Sequence, residues 1–183
     1  MRSLSLIWLI GAVAALACSD PDGPTATVAN TERTDTLWAL VGTPVSTPSG
    51  YSVDGSRRVR TDLSIDFDLA YNVEADGRHV FYPRAAMGID TSNAVKPGLR
   101  RITEAFEAIT LAPSDGYTTD DPVVIASGDR FVVRGRITCT LGLPKYAKME
   151  ILQFDDVARK VAFRILTNEN CGFRSLEPGL PEE

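Results

Sequence analysis

His79 is the only histidine in the 183-residue chain, and so the one side chain whose ordinary pKa lies close to neutral pH. As a general base it would need a nucleophile to serve. The chain has no Gly-x-Ser-x-Gly elbow and no glycine-rich phosphate loop of the Walker or Rossmann type. Asp62, Asp66 and Asp68 alternate along one stretch, with Asp66 and Asp68 about 7 Å apart if that stretch is extended. A calcium ion takes six or more oxygens, usually from a loop that folds around it. A straight strand supplies too few, so these three read as a solvated acidic face. Asp115, Asp120 and Asp121 in "DGYTTDD" are better placed for a cation because they lie in a loop. Arg57, Arg58 and Arg60 could meet an anionic ligand, or guard an edge strand against pairing. None of these groups forms a catalytic set, and the expectation is a non-enzyme without a metal.

The three cysteines, Cys18, Cys139 and Cys171, point to a compartment rather than to catalysis. Leu4 to Ala17 is apolar apart from Ser5 and follows a start that contains Arg2. At about 1.5 Å per residue it reaches only about 21 Å as a helix, short of the roughly 30 Å of a bilayer core. It reads as a signal peptide over residues 1–17. Two processing routes are open. Ala15-Leu16-Ala17 fits ordinary cleavage, which leaves a free thiol on Cys18. The same residues also resemble the lipobox of bacterial lipoproteins, with Ala15 and Leu16 in reversed order, and there Cys18 would carry lipid. Lipid on Cys18 leaves Cys139 and Cys171 to pair with no thiol over, which an oxidising compartment favours. Residues 18–35, poor in large apolar side chains, then read as a flexible tether.

Residues 36–183 read as one domain of mainly β class, an antiparallel β-sandwich or meander-rich sheet with one amphipathic helix. In "LSIDFDLAYNV", Leu63, Ile65, Phe67, Leu69, Tyr71 and Val73 share one face at period two. Asp76-Gly77 suits a two-residue hairpin turn, which places His79 on the polar face opposite Glu74. Ser127-Gly128-Asp129 signals a second hairpin. "YAKMEILQF" turns Ala147, Met149 and Ile151 inward, and "KVAFRIL" does the same with Val161, Phe163 and Ile165, giving a meander with one wet face. In "GLRRITEAFEAI", Leu99, Ile102, Phe106 and Ile109 recur at helical spacing behind Pro97, which predicts the helix. The first and third strands of the meander end at one edge, and "TNENCG" gives Cys171 the slack to reach Cys139.

A net charge of −5 argues against a nucleic-acid partner, whose phosphates need clustered Lys and Arg. The aromatics Trp38, Tyr51, Tyr71, Phe81, Tyr82 and Tyr117 are scattered, which suits core or rim positions. A ligand site, if present, belongs near the loops after Phe81 and Pro113.

Three stretches resemble the HmuY-like haem-binding lipoproteins of bacterial outer membranes: "FDLAYNV", "FEAITLAPSDGYTTDD", and "GDRFVVRGR" with "YAKMEILQFDDVARKVAFRIL". The resemblance covers roughly residues 64–167. It implies export to the cell envelope, a lipid anchor on Cys18, and a binding module for a porphyrin-like small ligand or a partner protein. The haemophores of that family hold iron between two histidines, and this chain has one. His79 with Met87 is the axial pair left for haem. The alternative is a structural or interaction lipoprotein of the envelope with no small ligand.

Overall fold

The computed structural model describes residues 25–89 and 94–181. The chain is mainly β, with two five-stranded antiparallel sheets packed face to face. One sheet is ordered β1 (Thr31–Trp38), β10 (Lys160–Asn168), β9 (Tyr146–Asp155), β8 (Arg130–Arg134) and β6 (Gly98–Ile102). The other is ordered β3 (Arg57–Val59), β2 (Gly50–Ser52), β4 (Leu69–Val73), β5 (His79–Pro83) and β7 (Val123–Val124).

Period two drives this arrangement. Ala147, Met149 and Ile151 in β9 and Val161, Phe163 and Ile165 in β10 are buried, as their alternation predicts. They meet Tyr51, Leu69, Tyr71 and Phe81 from the facing sheet in one core. Tyr51 stands edge-on to Phe163 with ring centroids 5.4 Å apart, a favoured aromatic geometry.

The amphipathic helix is not formed. Residues 98–102 are strand β6, paired with β8 in the register Leu99↔Val133, and Phe106–Ala108 is one 3-10 turn. The apolar spacing that mimics a helix serves two separate cores. Leu99 faces the space between the sheets, while Phe106 and Ile109 cover the outside of the first sheet with Ala112, Tyr146, Leu166 and Leu176. The outer face of the meander is therefore partly dry, and Lys148, expected on it in water, is 2% exposed.

Three other expectations shift. Only Leu69–Val73 of the long strand is formed, and Leu63 and Ile65 stand in solvent ahead of it. Ser127-Gly128-Asp129 joins the two sheets instead of closing a hairpin, since β7 pairs with β5 and β8 with β9. The fold also starts earlier than the tether boundary allowed. Thr31 to Asp35 pair with Thr167 to Phe163 across β1 and β10. The first four residues of β1 are exposed, so an edge strand held by backbone bonds carries little hydrophobic signal. The signal segment and Cys18 lie outside the described residues.

Candidate functional site

The β4–β5 hairpin sets the position of His79. Its turn is one residue longer than Asp76-Gly77 alone would make it. The Glu74 N–H donates to Arg78 O at 2.8 Å and the Gly77 N–H to Glu74 O at 3.0 Å, with Gly77 at φ +85°. This is the turn-plus-bulge hairpin in which glycine takes the left-handed position. The register becomes Val73↔His79 and Tyr71↔Phe81, and a one-residue slip moves a side chain to the other face. His79 consequently sits on the inner face. Glu74 stays on the outer face, where it accepts from the Tyr82 hydroxyl at 2.7 Å and from Asn72 at 3.1 Å.

His79 is fully engaged there. Its Nδ1 is 2.6 Å from the Tyr71 hydroxyl, its Nε2 is 3.1 Å from Asp156 Oδ1, and its ring stacks on Phe154 at 3.8 Å. Burial pushes the Tyr71 phenol well above its ordinary pKa, with the Asp156 charge adding to the effect. Tyr71 therefore stays a neutral hydroxyl partner. The arrangement Tyr71–His79–Asp156 has the order of a proton relay, but Tyr71 is fully buried and cannot reach a substrate. It links the β4–β5 hairpin to the β9–β10 turn.

These residues do not fit haem. Both ring nitrogens of His79 have partners, so iron could be ligated only by displacing Tyr71 from Nδ1 or Asp156 from Nε2. Met87 lies in the 3-10 turn Arg84–Met87 beyond the other end of β5 and packs beside Val59, Phe67 and Ala70. Ala70 and Tyr71 point to opposite faces of β4, so His79 and Met87 are not brought together.

The aspartates of the expected acidic face are separated in the same way. Asp68, 1% exposed, accepts the Val53 N–H at 2.7 Å and the Arg136 N–H at 2.8 Å. Burial pushes its carboxyl up, against the pull of those donors and of Arg136 and Arg84. Asp66 pairs with Arg136 and Asp62 with Arg60. In the loop candidate, Asp120 pairs with Lys96 and Asp115 with Arg100. Among the described residues no group of three or more His, Cys, Asp or Glu is placed to hold a metal ion. Arg57 and Arg58 lie on β3, an edge strand, where Arg58 meets Asp35 at 3.0 Å, and Arg60 follows directly after it.

Cys139 and Cys171 form a disulfide with Cα atoms 6.1 Å apart. The bond ties the 135–145 loop to the segment after β10. Beside it, Lys145 Nζ lies 2.6 Å from Asp54 and 3.0 Å from Glu169. Burial tends to raise the Asp54 carboxyl, but the bond and charge of Lys145 outweigh it and hold the group below the usual range.

Two features gave no signal in the sequence. Phe106 lies between two cations, with Lys148 Nζ 4.7 Å and the Arg164 guanidinium 4.1 Å from its ring. Burial holds the Lys148 ammonium below its usual pKa, and its hydrogen bond goes to Ile109 O at 3.0 Å. The second feature is a groove of about 890 Å³ between Thr110–Leu111 and the segment Ser175–Pro181. It is open to solvent, and neither His79 nor a disulfide cysteine lines it.

Among the described residues no helix is long and apolar enough to cross a membrane. No protein-family model, curated protein or solved structure matches the chain.

Proposed function

We propose that the chain is an exported, lipid-anchored β-sandwich that acts as a non-enzymatic binding module of the cell envelope, with a protein partner in preference to a porphyrin. The observation that carries this reading is the cysteine pairing. Cys139 and Cys171 are joined, which leaves Cys18 alone behind an apolar leader of signal-peptide length. A disulfide suits an oxidising compartment, and lipid on Cys18 accounts for the odd thiol. The preference for a protein partner rests on His79, whose ring nitrogens are both engaged, and on a groove too open to enclose a macrocycle. Sandwiches commonly recognise partners with the loops at one end.

Cell fractionation tests the anchor. Cys18→Ala is expected to move the protein from the membrane pellet to the soluble fraction and to end labelling by a palmitate analogue. A variant that stays in the pellet overturns the anchor. Haemin titration of the purified domain tests the ligand class, with no Soret shift expected. A six-coordinate low-spin spectrum that vanishes in His79→Ala would restore the porphyrin reading.

A further inference from the structure

The described chain enters the fold at one end of the sandwich. The backbone N–H groups of Thr27 and Val28 donate to Asn170 Oδ1 at 2.8 and 3.0 Å, and Asn170 Nδ2 donates to Val28 O at 2.7 Å. Asn170 precedes Cys171, so residue 27 is clamped beside the disulfide. The 135–145 loop reaches the same place through Cys139 and through Leu143, which packs against Gly172. Only the last residues of the loop ahead of β4 reach it, where Arg136 pairs with Asp66, because β3 runs away from the 53–56 turn at this end and leaves Arg60 and Leu63 toward the other.

The 135–145 loop and the entering strand carry apolar side chains in water. Leu141 is 60% exposed and Leu143 41%, and Val28 on the entering strand is 45% exposed. Single exposed apolar residues are ordinary. These three share the end at which the chain enters. The carboxylates around them are also matched, since Asp54 and Glu169 meet Lys145 and Asp66 meets Arg136. An anionic surface approaching this end meets no unpaired carboxylate among these three.

We infer that this end of the sandwich docks on the lipid bilayer, with Leu141 and Leu143 entering the headgroup region. The inference rests on the anchor at Cys18 proposed above and specifies how the anchored domain stands. From Cys18 to Thr25 the chain is seven residues long and spans at most about 25 Å. A lipid on Cys18 therefore holds this end next to the membrane. The opposite end, with the Asp155–Arg159 turn, then faces outward and is the surface left for a partner.

Hydrogen exchange read by mass spectrometry tests the orientation. The lipidated chain in phosphatidylethanolamine–phosphatidylglycerol vesicles is compared with the Cys18→Ala chain in buffer. The peptide covering 138–145 is expected to exchange several-fold more slowly on vesicles, while those covering 41–47 and 155–159 keep their rates. Slowing at 155–159, or no slowing at 138–145, overturns the inference. The mass of the N-terminal peptide shows separately whether Cys18 carries lipid, and its absence overturns the anchor. The docking is then decided by coupling Cys18 to a maleimide lipid in the same vesicles and reading the same peptides. The double variant Leu141→Asp with Leu143→Asp changes two exposed side chains and leaves the core intact. It is expected to abolish the slowing while the protein still pellets with the vesicles. Retained slowing in that variant also overturns the inference.

Discussion

At the end where residue 27 enters, a disulfide, a buried carboxylate and an asparagine clamp join loops that are distant in sequence. At the opposite end the loops meet through Arg159 and through the His79–Asp156 pair. There Arg159 donates to Val41 O and to Val73 O, both at 2.9 Å, and Asp156 is 83% exposed. The first set of links is covalent or dry, and the second is wet. A hydrogen bond whose loss strands a buried donor is costly, whereas a pair that water can replace is worth little. The difference implies a firm end and a lightly held one.

The largest test of that contrast is the disulfide. With a sequence separation of 32 between the two cysteines, loop-closure entropy gives about 3.5–4 kcal/mol. Cys139→Ser, or reduction, is expected to lower the melting temperature by about 10 °C, on the scale typical of a domain of this size. Thermal unfolding with and without reductant checks it. Next comes Asp68→Ala, which leaves the Val53 and Arg136 N–H groups without their acceptor. A cost of about 2–4 kcal/mol is expected, read from urea unfolding as a lower midpoint at constant slope.

Lys145→Met probes the same end through pH. Asp54 has a lowered folded pKa, so its contribution is present above the ordinary carboxyl value near 4 and is lost as pH falls through the folded value. The stability gap between the parent and Lys145→Met should be full at pH 6 and should close in acid. A gap independent of pH would remove Asp54 from the account.

The smallest effects belong to the lightly held end. Asp156→Asn is expected to cost no more than about 0.5 kcal/mol, as an exposed pair. Arg159 sits at φ +49°, a conformation that costs a non-glycine residue about 1–2 kcal/mol. Arg159→Gly removes that strain together with both side-chain bonds, while Arg159→Ala removes the bonds alone. The glycine variant should therefore be the more stable of the two by about 1 kcal/mol. If either change cost as much as Asp68→Ala, the two ends would not differ as described.

The strands that build the shared core were legible because alternation is a local signal. The residues of β9 and β10 that alternate inward are buried in that core, and the pairing of Cys139 with Cys171 followed from the order of the strands. The parts that were not legible depend on partners far along the chain. Leu99, Phe106 and Ile109 have helical spacing, yet Gly98 is needed where Thr118 O would come within 2.8 Å of a Cβ, a contact between strands that no window of sequence contains. His79 moved from the outer face to the inner one because a single extra turn residue changes the register, and Asp-Gly is compatible with either turn. Lys148 reads as a surface residue until Phe106 covers it. Thr31–Asp35 looks like a linker because β10 supplies what its own side chains lack.

That last pairing also orders events in time. β1 hydrogen-bonds along its length to β10, with Thr31 opposite Thr167, so the first strand waits for the last before its sheet can close. Pairings this distant along the chain are slow to form. The clamp of Asn170 on Thr27 and Val28 and the closure of the disulfide at Cys171 wait for the same late residues. A chain built this way cannot complete its first sheet until its last strand has been made.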